Sequence, residues 1–321
     1  MTKVDLITGI LGAGKTTFIK KYAGYLLGKG LRIAILENDF GAVNVDMMIL
    51  QELRCENCAI EMISGGCDPD CHKRRFKTQL IALGMQHFDR VIIEPSGIFD
   101  MDEFFDLIHD SPLDRWFEIG SIITIADPET DEFLSEQMEY LLASQASCCG
   151  KLVVSKINPD ENFSKDTVLN KINNALSAIK CDRKLSEKDI FIKNWDNLND
   201  EDFENIKNSS YRCSSYVKKF NIEDIGGEVH YFMHIKLPDD VIEKITRDIM
   251  NDEKCGNITR LKGFLPCSDG WLKINITPEK SEISPVSDGQ PVIITIGKNI
   301  NKNIIDEYFK KYNSDPEYVS I

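Results

Sequence analysis

The chain has 321 residues, 42% hydrophobic and 28% charged, a length and composition that suit a buried core spread over about two domains. A short disulfide-stapled scaffold, a collagen-like chain and a wholly disordered chain are excluded. With 38 Lys and Arg against 52 Asp and Glu the formal charge is −14, so neither nucleic acid nor an anionic membrane is an expected partner.

No apolar run reaches the ~18 residues that span a bilayer. The N-terminal run from Met1 to Ile7 meets Gly9 too soon to form a signal-peptide core. A cytoplasmic location is the resulting expectation.

Val4–Ile10 is the first predicted strand. It runs into Gly9-Ile10-Leu11-Gly12-Ala13-Gly14-Lys15-Thr16-Thr17, which satisfies G-x-x-x-x-G-K-[ST] and opens a predicted helix over Lys15–Leu27. Glycines at this spacing let successive backbone N–H groups turn toward phosphate oxygens, and the helix N-terminus adds partial positive charge. Gly12, Ala13, Gly14, Lys15, Thr16 and Thr17 are the expected phosphate contacts. Lys15 is placed for the β- and γ-phosphates, and the Thr16 hydroxyl for Mg²⁺.

A second predicted strand, Arg32–Leu36, leads into Glu37-Asn38-Asp39-Phe40-Gly41 and then Asp46. Asp39 and Asp46 are candidates for the Mg²⁺ side or for positioning water. The ten cysteines of the chain are unevenly spread, and four lie between Cys55 and Cys71. Cys55-x-x-Cys58 and Cys67-x₃-Cys71-His72 flank a predicted strand over Ala59–Ile63. Thiolates this close in sequence suit Zn²⁺ or another soft divalent ion, and by ligand type an iron–sulfur cluster as well.

A predicted helix, Lys73–Met85, leads to a predicted strand, Arg90–Ile93, which ends in Glu94-Pro95-Ser96-Gly97. A carboxylate at the C-terminal edge of a parallel strand faces the phosphate crevice. Glu94 is therefore the candidate for orienting water or the Mg²⁺ shell, and Gly97 for an N–H to the γ-phosphate. Further predicted elements are a helix at Met101–Ile108, a strand at Ser121–Ala126, a helix at Glu132–Ala146 and a strand at Lys151–Val154. The last of these ends in Ser155-Lys156-Ile157-Asn158. A loop that selects guanine ordinarily ends in aspartate, which accepts from both guanine donors. Asn158 offers a single acceptor oxygen, so weaker guanine selectivity is expected, while the Lys156 stem can still pack on a base. Lys165–Ile179 and Glu201–Lys207 are predicted helices on either side of a short strand, Ile190–Ile192.

After about Asn199 the texture turns polar and acidic, and beyond a boundary near residues 208–218 a second unit appears. Strands are expected at Glu228–Leu237, Ile258–Phe264, Trp271–Ile276 and Val292–Ile296, with helices at Asp239–Met250 and Asn303–Tyr312 and a polar turn over Pro278–Gln290. The strand–helix alternation predicts an α/β fold with a mainly parallel sheet and helices on both faces over residues 1–210. A smaller α+β domain is expected over 211–321.

The phosphate loop, Glu37–Asp46, Gly65-Gly66-Cys67 with Cys71, Val91–Gly97, and Ile258–Leu265 with Trp271 together resemble the CobW family of P-loop GTPases, relatives of the UreG and HypB metallochaperones. The resemblance covers most of the chain. It implies GTP hydrolysis coupled to moving or inserting a metal ion, often zinc or cobalt, and a client metalloprotein as partner. Three features depart from the family pattern. Cys67-x₃-Cys71 stands where the family packs Cys-x-Cys-Cys; Ser155 and Asn158 replace its asparagine and aspartate; and no histidine-rich run is present.

Two other functions fit the same residues: an ATPase whose iron–sulfur cluster activates a metalloenzyme, and a non-catalytic nucleotide-binding metal sensor or scaffold. The choice between GTP and ATP stays open, and a homodimer is among the assemblies the sequence allows.

Overall fold

The computed structural model describes residues 1–10, 12–39, 50–64, 69–95, 99, 101–128, 136–157, 164–220, 228–278, 280–286 and 289–320. They fall into two compact units, one holding the described residues up to 220 and the other those from 228 onward.

The first unit runs β1 (Thr2–Thr8), α1 (Lys15–Gly28), β2 (Ile33–Asp39), β3 (Cys58–Ser64), α2 (Pro69–Gly84), β4 (Arg90–Glu94), α3 (Met101–Ile108) and α4 (Leu113–Trp116). It continues with β5 (Phe117–Ala126), α5 (Glu136–Cys148), β6 (Lys151–Val154), α6 (Lys165–Ala178), β7 (Ile190–Phe191) and α7 (Asp200–Lys207). Its seven strands form one sheet in the order β3-β2-β4-β1-β5-β6-β7. Every pairing is parallel, as the strand–helix alternation predicts. Consecutive residues Leu6 and Ile7 of β1, and Val91, Ile92 and Ile93 of β4, are fully buried. Burial without alternation means that both sheet faces are covered, which is why these strands are continuous apolar runs.

Strand order reverses beside β1: β2, β3 and β4 lie on one side of it and β5 to β7 on the other. The C-terminal ends of β1 and its neighbours therefore border a crevice, the usual ligand position in such sheets. Below it, Asp5 of β1 is fully buried and ties four elements together. It pairs with Arg90 of β4, accepts from Tyr22 Oη of α1 at 2.8 Å, and accepts from the Ser121 N–H of β5 at 2.9 Å. Burial of a charge is tolerated here because the carboxylate is both paired and hydrogen-bonded.

The second unit runs β8 (Glu228–Met233), α8 (Asp239–Asn251), β9 (Asn257–Cys267), β10 (Gly270–Ile276), β11 (Ser281–Val286), β12 (Val292–Lys298), α9 (Lys302–Lys310) and β13 (Val319–Ser320). Its sheet has the order β11-β10-β9-β12-β8-β13 and is antiparallel throughout. Ile242, Ile245 and Ile249 of α8, at i, i+3 and i+7, form one apolar stripe. They join Phe232, Leu261, Ile293 and Phe309 in a single core.

The structure departs from the sequence expectations in particular places. Ser281–Val286 is a strand, not part of a turn: it pairs with β10 at the sheet edge, where Pro285, opposite Leu272, needs no further backbone donor. The strand expected to reach Leu237 ends at Met233, because His234 takes φ 52°. The first strand stops at Thr8, since Gly9 turns with φ 141°. The helix expected from Lys73 begins at Pro69, so Cys71 falls in its first turn. Residues 211–220, expected in the second domain, hold to the first unit: Arg212 N–H donates to Cys148 O at 3.0 Å and Val217 N–H to Ile179 O at 2.8 Å. No helix among the described residues is long and apolar enough to cross a membrane.

Candidate nucleotide site

The loop between β1 and α1 is built on left-handed glycines, with φ of 141° at Gly9, 88° at Gly12 and 100° at Gly14. Other residues reach this region only with strain. Gly9 is also sterically required: a β-carbon there would stand 2.6 Å from the Ile125 carbonyl oxygen of β5. The turn is closed by Ala13 N–H donating to Ile10 O at 3.2 Å.

Lys15 opens α1 and is 6% exposed. Its ammonium donates to Gly9 O at 3.1 Å and Ile10 O at 3.4 Å, so the side chain folds back along the loop. No side chain caps α1, and its first turn carries no acidic residue. The N-terminal N–H groups and the positive end of the helix dipole thus face the crevice, an arrangement that favours an anion. Thr16 is buried and Thr17 exposed.

Glu94, at the C-terminal end of β4, is buried and accepts from Thr16 Oγ1 at 3.0 Å. In register beside it, on β2, lies Glu37, which is 3% exposed. Paired residues of parallel strands share a sheet face, so two buried carboxylates stand beside the helix N-terminus. Asp39 ends β2, and its side chain lies outside the described residues, as do Asp46 and Gly97.

On the other side of β1, Ser155 follows β6 and is fully buried; its N–H donates to Ala126 O at 2.9 Å. Lys156 takes φ 51°, and its ammonium pairs with Asp127 at 2.6 Å. Asn158 lies outside the described residues. Two residues that the sequence did not single out belong to this side. Asp127, fully buried just past β5, anchors the Lys156 stem. Its signal was the one used for Glu94, a carboxylate at the C-terminal end of an apolar strand. Trp195 follows the two-residue strand β7, and nothing local in the sequence marks it.

The cysteines divide. Cys55 and Cys58 face each other across a tight turn, with Cys58 N–H donating to Cys55 O at 3.1 Å and Cys55 N–H to Cys58 O at 3.3 Å. Cys55 is exposed and Cys58 buried. Burial, followed by the neighbouring Cys55, pushes the Cys58 thiol up to about 11. Cys67 and the side chain of Cys71 lie outside the described residues. Among the described residues no three His, Cys, Asp or Glu side chains converge as a metal centre.

A glycine cradle at the switch point of a parallel sheet, backed by an uncapped helix, is the architecture of a P-loop nucleotide-binding protein. The CobW/HypB/UreG nucleotide-binding domain matches residues 3–187, more than half of the chain, and the chain belongs to that family. Zinc chaperone YeiR of Escherichia coli is 31% identical over 129 residues, which are 40% of this chain and 38% of that protein. Zinc chaperone YjiA of the same organism is 28% identical over 166 residues, 48% of each chain. Zinc-regulated GTPase metalloprotein activator 1 of Schizosaccharomyces pombe is 23% identical over 354 aligned positions, covering 93% of this chain and 83% of that protein. The match thus spans less than half the length of either bacterial relative.

Proposed function

We propose that the chain binds and hydrolyses GTP with Mg²⁺, and that its nucleotide state governs a cysteine site that carries zinc to a client metalloprotein. The observation that carries the nucleotide half is the Thr16–Glu94 contact beneath the uncapped N-terminus of α1. It brings a hydroxyl and a carboxylate to the end of the cradle where a γ-phosphate would lie.

The donor set there fits Mg²⁺. The Thr16 hydroxyl and the Glu37 and Glu94 carboxylates are hard oxygen ligands, and two buried carboxylates side by side are stabilised by a cation. Thr16 would hold the ion, with Asp39 and Asp46 as further oxygens. Bound there, Mg²⁺ neutralises charge on the phosphate oxygens. Lys15 does the same from the loop side, and the backbone N–H groups of residues 12 to 17 fix the triphosphate. Glu94 and Asp39 orient the attacking water, which adds to the γ-phosphorus as its bond to the bridging oxygen breaks and GDP leaves. Gly97 is assigned the γ-phosphate contact. Ser155, Lys156 and Asn158 are assigned to the base.

Zinc enters this reading as cargo. The cysteine pattern and the likeness to zinc chaperones and a zinc-regulated GTPase support it. Cys67 and Cys71 are the proposed thiolate ligands, with the Cys55/Cys58 pair as the candidate for completing the set.

The deciding experiment measures phosphate release from GTP and ATP with and without Mg²⁺, and zinc stoichiometry of the empty, GTP-bound and GDP-bound chain by elemental analysis. Mg²⁺-dependent GTP turnover with zinc uptake that differs between states supports the reading. Identical uptake in all three states removes the coupling, since a ligand with equal affinity for two states shifts neither. The same metal analysis separates zinc from cobalt or an iron–sulfur cluster.

A further inference from the structure

Trp195 stands beside Gly14 of the phosphate loop and is hydrogen-bonded to the residue before Ser155. A β-carbon built on Gly14, the residue that caps α1, would stand 3.4 Å from Trp195 Cη2, 3.5 Å from Cζ3 and 3.8 Å from Ser155 Cβ. The other end of the indole is fixed by Nε1, which donates to Val154 O at 3.0 Å, the residue directly before Ser155. Phe18, one turn into α1, meets the indole edge to face, with ring centroids 5.5 Å apart at 61°. The next residue, Asp196, pairs with Lys21 of the same helix at 3.0 Å.

The phosphate loop and the base-side loop are carried by α1 and β6. These elements are not consecutive in the chain, so no short covalent link sets the spacing between the loops. A nucleotide, by contrast, has a fixed distance between triphosphate and base. Binding both ends at once is favourable only where the two subsites already stand at that distance; otherwise ordering them consumes the gain. The indole is rigid, is fixed by Val154 O and by Phe18 of α1, and lies alongside both Gly14 and Ser155.

We infer that Trp195 is a positioning residue of the nucleotide site, holding the phosphate loop at a set spacing from Ser155–Lys156 so that triphosphate and base are met together. The inference rests on the nucleotide reading above. It assigns Trp195 no contact with the phosphates and no part in the bond-breaking step.

An aromatic that merely packs α1 against β7 would support the phosphate loop alone, and its loss would weaken every ligand of that loop alike. A spacer between subsites behaves differently: its loss weakens only a ligand that spans them. The test measures equilibrium binding of GTP, ATP and inorganic triphosphate, each with Mg²⁺, to the full chain and to Trp195→Ala and Trp195→Phe.

Trp195→Ala is expected to bind GTP about tenfold more weakly while inorganic triphosphate changes by less than about twofold. Trp195→Phe keeps a ring against Gly14 but loses the Nε1 donor, and falls between; it carries the comparison if the alanine variant does not fold. Equal loss for GTP and inorganic triphosphate, or no loss for either, overturns the assignment while leaving the nucleotide reading intact. Failure of the unaltered chain to bind GTP or ATP overturns both.

Discussion

Thr16 and Glu94 are 78 residues apart in the chain and 3.0 Å apart in the fold, joined by a hydrogen bond from the threonine hydroxyl to the carboxylate. The contact links the first turn of α1 to the end of β4 across the crevice beside β1. Glu94→Gln keeps the shape and an acceptor oxygen but removes the charge. Nucleotide affinity is expected to change little, while phosphate release at saturating GTP and Mg²⁺ drops by roughly 10²-fold, the usual scale for a residue that positions water or stabilises a transition state. Turnover at the original rate would remove Glu94 from the chemistry.

Lys15 is held along the loop by Gly9 O and Ile10 O, so its ammonium already stands over the cradle that a triphosphate would fill. Lys15→Ala deletes that charge from a nearly buried position. Binding of GTP, followed by calorimetry or a fluorescent analogue, is expected to weaken by roughly 10²-fold or more, as befits loss of a charge-assisted contact in a partly desolvated site. Affinity equal to the parent would contradict the placement of the phosphates.

Gly9 tests the loop from the side of the fold. An added methyl there meets the Ile125 carbonyl at 2.6 Å with φ at 141°, so backbone has to move. Gly9→Ala is expected to lower stability by about 1–3 kcal/mol, read as a drop in the thermal midpoint, and to weaken nucleotide binding in parallel. Gly30→Ala is the control, since its φ of 77° is strained but nothing lies within 4 Å. A Gly9→Ala midpoint no lower than that of Gly30→Ala would show that the contact with β5 is not limiting.

These cases show what the sequence made legible. The glycine turn before α1 and the acid that ends β4 were legible as places in the fold because each lies within a few residues of a strong local pattern, a glycine spacing or an apolar strand with a terminal acid. The parallel sheet was legible for the same reason, as uninterrupted Val and Ile runs. Asp127 carried the same strand-end signal as Glu94 and was passed over, although its pairing with Lys156, 29 residues on, needs the fold to be seen; Trp195 has no local signal, because its place beside Gly14 depends on which strand lies beside which. The edge strand β11 was missed because its burial is slight and its Ser, Glu and Pro composition reads as a turn. Residues 211–220 lie with the first unit, which local sequence does not reveal: they have almost no secondary structure of their own and are held by backbone bonds, by Ser214 and Ser215, and by Tyr211 and Phe220 packed on Phe105 and Tyr140.

Acid sensitivity should be traceable to a contact on the back of α1. Hydrogen bonds from Lys207, Tyr25 and Asn208 hold the Glu204 carboxyl at about 2, below its ordinary 4.5. A carboxyl lowered in the folded state stabilises the fold above its unfolded value, and that contribution is lost as pH falls through the folded value. The window is therefore from about 4.5 down to about 2. Because Glu204 is half-exposed, solvent screening keeps the effect small. Glu204→Gln is expected to flatten the thermal midpoint against pH within that window. Parallel curves for the variant and the parent would assign the acid sensitivity to other carboxylates.

The two cysteine pairs are expected to behave differently toward zinc. A metal ligand must be a thiolate, so a thiol that burial keeps protonated gives up its proton only at a cost. Cys58 is buried, with its thiol pushed up to about 11, and its turn partner Cys55 faces solvent. Cys67→Ser with Cys71→Ser is expected to abolish stoichiometric zinc in elemental analysis at neutral pH. Cys58→Ser is expected to leave at least half of it, with only a modest change in affinity. The opposite pattern, with zinc lost from Cys58→Ser and kept in the double variant, would place the cargo at the Cys55–Cys58 turn and require that turn to open on loading.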